Sequence, residues 1–309
     1  MGHDGLKAGR SHGGLKVGVI RRDPPGMIPA GDSAEVRPAR AITEVPVGQP
    51  TDENAGQAQA PGGASAVRVP LLEHPIWRQL FPWLVQGVTG AGDSCPFDLA
   101  LFGEARPRDV LERWEALGRA TGAIRVVHGQ QVHGMAIRLH GEGPAGLHIS
   151  PRTDGHATRV PGVLLTVSVA DCVPISLVAP ERRAVALLHG GWRGIAAGIA
   201  ERGVEFLSAR LDARVHELHA HLGPAICGSC YQVGPEVHRS LRLPEPSRPE
   251  SIDLRAIIAG RLRGAGIQEA HLTASTYCTL CSGGAFFSHR GGRTERQVTV
   301  LGISAHGCV

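Results

Sequence analysis

Residues 163–199 read VLLTVSVADCVPISLVAPERRAVALLHGGWRGIAAGI. Three apolar runs, 163–169, 175–178 and 184–188, are bounded by Pro, Gly and charged turns, the pattern of strands buried in a core. From Gly194 the period changes to helical, with Ile195, Ile199, Phe206 and Leu207 on one stripe running to Leu211. Outward toward the N-terminus, 108–119 has helical spacing, with Asp109 as a cap and Val110, Trp114 and Leu117 on one face. Segments 124–127 and 135–139 read as short strands. Toward the C-terminus, 215–222 alternates as a strand. Ser251 is then positioned to cap a helix carrying Leu254, Ile257, Ile258 and Leu262. Strands at 271–276 and 298–303 complete the series. Strands and helices intermingle, so the fold class is α/β or mixed α+β layers.

The chain has 309 residues, of which 42% are hydrophobic and 19% charged, enough apolar content for a core. No run of eighteen uncharged apolar residues occurs, which argues against a membrane partner. The N-terminal MGHDGLKAGRSHGG lacks the apolar stretch of a secretory signal and predicts a cytoplasmic protein. Net charge is +4 with both signs interleaved, so nucleic acid is not expected as a partner. Residues 1–70 hold 12 Gly and 8 Pro and none of the chain's twelve aromatics. That composition predicts a disordered Gly/Pro-rich tail, with one folded domain over 71–309. Only Lys7 and Lys16 are lysines. A folded part without lysine has no Schiff-base or P-loop lysine, and attention moves to histidine, cysteine and arginine.

Four constellations stand out. His133 lies in HGQQVHG, Cys172 in the turn VADCVP after a buried strand, and His189 at the end of AVALLH. Three nitrogen or sulfur ligands at the ends of core elements match a catalytic zinc with an open fourth position, although each residue alone also fits an ordinary polar or core role. Cys227–Cys230 and Cys278–Cys281 form two CxxC pairs 47 residues apart. They read either as one long-range four-thiolate zinc site or, more commonly, as buried thiols packed near each other. His219 and His221 of HELHAH would share one face of a strand, read here as a solvated face. Arg193, in the glycine-rich turn HGGWRG, and Arg290, in FFSHRGGRTER, are the best candidates to hold a phosphate.

The blocks HGQQVHG, TDGHATRVPGVLLTVSVADCVPISLVAP, AVALLHGGWRGIAAGI, LGPAICGSCYQVGPEV and YCTLCSGGAFFSHR, in this order, resemble the laccase-domain family over about residues 81–302. Its members are also called multicopper polyphenol oxidoreductase-like proteins or purine nucleoside phosphorylases. The resemblance implies a single domain of layered mixed sheets flanked by helices, and a catalytic Zn2+ on His133, Cys172 and His189. It implies phosphorolysis of adenosine, inosine and methylthioadenosine to a base and a sugar 1-phosphate, together with adenosine deamination. The partners would be a purine nucleoside and phosphate. Deamination needs a metal-activated water and a group to move protons; Asp171 and Asp154 are the available acids, with support of a ligand or a turn as their simpler role. Arg193 and Arg290 would hold the phosphate. Copper-dependent phenol oxidation is the alternative enzyme reading, disfavoured because His219–His221 is the only His-x-His pair. A zinc-stabilised regulatory module without catalysis is the other. Against the family pattern, the N-terminal block reads QGVTG at 86–90, the CCYEV block reads SCYQV with Gln232, and YRRDG reads HRGG.

Overall fold

The computed structural model describes residues 37–47, 67–92 and 95–305, together with Met1. Lys7, Lys16, Cys308 and most of the expected tail lie outside the described residues. The described residues other than Met1 belong to one compact unit.

Two seven-stranded mixed sheets lie face to face. At the centre of one, Val163–Val169 pairs antiparallel with Gln297–Ile303 and parallel with Arg125–Gly129. At the centre of the other, Val173–Ala179 and Ala184–Gly190 form an antiparallel hairpin, joined through the short turn Pro180–Arg182. Alternation decides what each strand buries where. Val163, Leu165, Val167 and Val169 of the first sheet meet Val178, Val185 and Leu187 of the second in the layer between them. The opposite face of the second sheet, with Ile175, Leu177, Ala186 and Leu188, packs under the helices Ile199–Leu211 and Leu254–Gly264. The outer face of the first sheet, with Val126, Leu164 and Val298, is covered by Val110, Trp114 and Leu117 of the helix Pro107–Thr121. The layers are thus helix, sheet, sheet, helix, the mixed α/β architecture that the sequence implied.

Several local expectations are corrected. Residues 37–47 are not tail: Arg40–Ile42 adds a parallel edge strand beside Leu272–Ser275, and Val45–Pro46 pairs with Leu71–Glu73. Backbone pairing and the buried Glu44, which accepts bonds from His221 and Ser275, anchor a segment that has no aromatic residue. The helix read as continuous from Gly194 is two, Trp192–Ala197 and Ile199–Leu211, because Gly198 adopts φ 94° and ends the first with a left-handed cap. Segment 215–222 is a strand only at His219–Leu222; Val215–Glu217 forms a 3-10 turn. The helix beginning at Leu254 is capped by Asp253, whose carboxylate accepts from Arg255 N–H and Ala256 N–H, and not by Ser251. Asp109 sits inside the first turn of its helix, after Arg106 and Pro107. No helix among the described residues is long and apolar enough to cross a membrane.

Candidate metal centre and its cavity

His189 follows Val185 and Leu187 on the inward side of its strand, so its imidazole emerges at one end of the layer between the sheets. Cys172 lies in the turn that joins the two central sheets, between Val163–Val169 and Val173–Ala179. His133 sits in the turn after Arg125–Gly129 with φ 58°. That turn is fastened by Gln131, whose side-chain amide donates to Ser168 O (2.9 Å) and accepts from Ser168 N–H (2.8 Å), continuing the pairing of the adjoining strands. The potential ligand atoms of His133, Cys172 and His189 lie within 4.8 Å of one another. Gly191 is needed beside them: a Cβ there would stand 2.6 Å from His133 Cδ2 and 3.2 Å from Cys172 Sγ.

Asp154, with no exposure, organises this trio. One oxygen accepts His133 N–H (2.8 Å) and His189 Nδ1–H (3.0 Å); the other accepts Val132 N–H (3.1 Å) and Gly134 N–H (2.9 Å). With Nδ1 engaged, His189 presents Nε2 to the other two candidate ligands. Burial opposes charge at these groups, but their mutual attraction wins. Cys172, half-buried but faced by His189 and hydrogen-bonded by His133, is lowered to about 6. His189, more deeply buried, is raised to about 9 by Cys172 and Asp154. The bonds from His189, Gly134 and Val132 hold Asp154 below its ordinary value despite its burial.

The trio opens on a cavity of about 700 Å³. Arg193 lies on its wall with its guanidinium over the Trp192 ring (4.2 Å), and Arg290 stands over Tyr231 (5.3 Å). Asp171, with φ 92°, also lines it, but its oxygens are occupied. Thr279 Oγ1 and Ser288 Oγ donate to one oxygen and Arg290 N–H to the other, each at 2.7 Å. Asp154 does not line the cavity. Of the two roles open to Asp154, a fully buried carboxylate with four donors fits support of a ligand better than movement of a proton. Sequence reading missed His128, Gln131 and Tyr231 on the same wall. His128 is lowered to about 4 by burial and is neutral, its Nδ1 bonded to Thr166 Oγ1 (2.9 Å). Its presence in the HGQQVHG block was the available signal.

The other constellations sort differently. His221 is bonded to Glu44 (2.9 Å) and Thr273 (3.0 Å), and His219 stacks on His271 with ring centres 3.9 Å apart. That face is packed beneath Trp77 and Phe81, not solvated as expected. The two CxxC pairs, in contrast, come together, with all four sulfurs within 4.8 Å of one another.

A family model described as multi-copper polyphenol oxidoreductase laccase matches residues 87–304. Purine nucleoside phosphorylase YlmD of Geobacillus stearothermophilus is 35% identical over 206 residues, covering 62% of this chain and 73% of that protein. Adenosine deaminase RL5, from an unknown prokaryotic organism, is 36% identical over 148 residues, 44% of this chain and 56% of its own length. The crystal structure of YlmD from Geobacillus stearothermophilus superposes with a TM-score of 0.71 at 30% identity, covering 79% of this chain and 98% of that one.

Proposed function

The chain belongs to the multi-copper polyphenol oxidoreductase laccase family, and on that footing we propose that it is a zinc-dependent purine nucleoside phosphorylase with adenosine deaminase activity. Its substrates would be adenosine, inosine or methylthioadenosine together with phosphate, and its setting the cytoplasm. The observation that carries the reading is the convergence of His133, Cys172 and His189 at a cavity that also presents Arg193 and Arg290. A cavity of about 700 Å³ suits a nucleoside and a phosphate. Relatives named for phosphorolysis and for deamination support the same substrate class.

Two imidazoles and a low-pKa thiol suit zinc, and the three ligands leave a position open. When bound there, zinc supplies a Lewis acid and a water activated near neutral pH. The chain's own groups do the rest. Arg193 and Arg290 grip phosphate as bidentate forks, with Trp192 and Tyr231 holding the guanidinium planes. Asp154 fixes the tautomer of His189. Asp171 acts by fastening the segment that carries Thr279, Ser288 and Arg290, so both acids serve as positioning residues.

The test is incubation with adenosine, with and without phosphate, followed by chromatography and metal analysis. Phosphate-dependent release of adenine and ribose 1-phosphate is expected, with inosine as the deamination product. Cys172→Ala should lose the zinc of this site and both activities. Arg290→Ala should raise KM for phosphate more than it lowers kcat. Equal rates from the wild type and Cys172→Ala would sink the mechanism, and copper-dependent oxygen uptake with phenols in place of phosphorolysis would favour the oxidase reading.

A further inference from the structure

We propose that Cys227, Cys230, Cys278 and Cys281 bind a structural zinc ion through four thiolates, a second metal site separate from the one at His133, Cys172 and His189. Sulfurs arranged tetrahedrally about zinc at about 2.3 Å lie roughly 3.8 Å apart. Here all four sulfurs lie within 4.8 Å of one another, and Cys227 and Cys281, from opposite pairs, are separated by 4.0 Å. Two thiols suffice for a disulfide, whereas four mutually adjacent sulfurs surround one central point, and a closed set of four is the pattern of structural zinc.

The backbone around the cluster has the form such a site needs. Cys227 opens the 3-10 turn Gly228–Cys230, and Cys278 opens a turn closed by Ser282 N–H to Cys278 O (3.2 Å). Cys227 N–H and Cys281 N–H both donate to Cys278 Sγ, at 3.3 and 3.5 Å, favouring the thiolate form. Ala225 and Cys278 form a parallel bridge, and Thr279 N–H donates to Ala225 O (3.2 Å), so the two turns are already in register. Hydrogen bonding among neutral thiols is too weak to account for gathering four cysteines from segments 47 residues apart.

The site would act on the cavity through the chain that leaves it. Tyr231 follows Cys230 directly. Thr279 lies between Cys278 and Cys281, and the same segment continues to Ser288 and Arg290, which clasp Asp171 beside Cys172. Zinc would fasten both segments at their base.

The decisive measurement uses the full chain carrying Cys172→Ala and His189→Ala, which lacks the first site whatever its function. Purified under reducing conditions with zinc, it should keep one zinc per chain. Cobalt in place of zinc should give a thiolate-to-cobalt charge-transfer band and intense tetrahedral d–d bands. Adding Cys227→Ser and Cys230→Ser should abolish both. Because that variant could simply fail to fold, alkylation of the wild type is mapped in parallel. Zinc should protect all four cysteines, and a chelator should expose them. A first-site variant that keeps no metal and gives no charge-transfer band, or four cysteines that alkylate equally with and without zinc, would overturn the proposal. Neither result depends on nucleoside chemistry.

Discussion

Both oxygens of Asp154 accept two hydrogen bonds, and every donor belongs to the segments that carry His133 and His189. Asp154→Asn would replace one oxygen with an NH2 group facing donors that need an acceptor. Zinc affinity should fall by about 10- to 100-fold, as it does when partners of metal-bound histidines are removed, with the fold retained. Competition with a chromophoric chelator reads this; unchanged affinity would refute the orienting role. At this scale the three candidate ligands were legible, because His133 precedes an apolar run, Cys172 follows one and His189 ends one, within blocks that resemble the laccase-domain family. The carboxylate that aligns them was visible only as an acid in TDGHAT. Its partners lie 20 to 35 positions away and are joined to it by folding alone.

The hairpin Val173–Ala179 and Ala184–Gly190 delivers His189 because its alternation is unbroken, one side meeting helices and the other the facing sheet. Leu187 has no exposure and lies two residues before His189 on the same face. Leu187→Ala should destabilise the protein by roughly 2–5 kcal/mol through lost burial and the cavity left behind. Urea unfolding of the metal-free protein checks this, and a loss under about 1 kcal/mol would mean that the two sheets repack around the gap. The strands of this hairpin were legible as apolar runs. Alternation misled at 215–222, where the first half turns as 3-10 helix before the strand begins. The helical stripe after Gly194 runs across a break, because hydrophobic spacing does not register the left-handed backbone of Gly198.

Across the molecule, buried histidines give stability a pH dependence of predictable sign. Burial lowers His74 to about 3 and His128, His140 and His219 to about 4. In the unfolded chain these groups titrate near about 6.5. Below that pH the unfolded chain binds protons that the folded chain does not, so stability is complete above about 6.5 and declines as pH falls toward 4. Calorimetry from about pH 7 to about pH 4.5 should show a falling Tm; a flat profile would contradict it. The same histidines mark how far the sequence reached. By itself it determined the mixed α/β class and the positions of the central strands, because periodicity is a local property of the chain, and its motifs singled out His133, Cys172 and His189, the three side chains that converge at the cavity. Only the tertiary structure decided that 37–47 joins the sheets, that His219 and His221 are packed rather than solvated, that Asp154 is bonded to the segments of both His133 and His189, and that four distant cysteines meet. Each depends on which surfaces come to face one another, and that is set by packing across long stretches of chain.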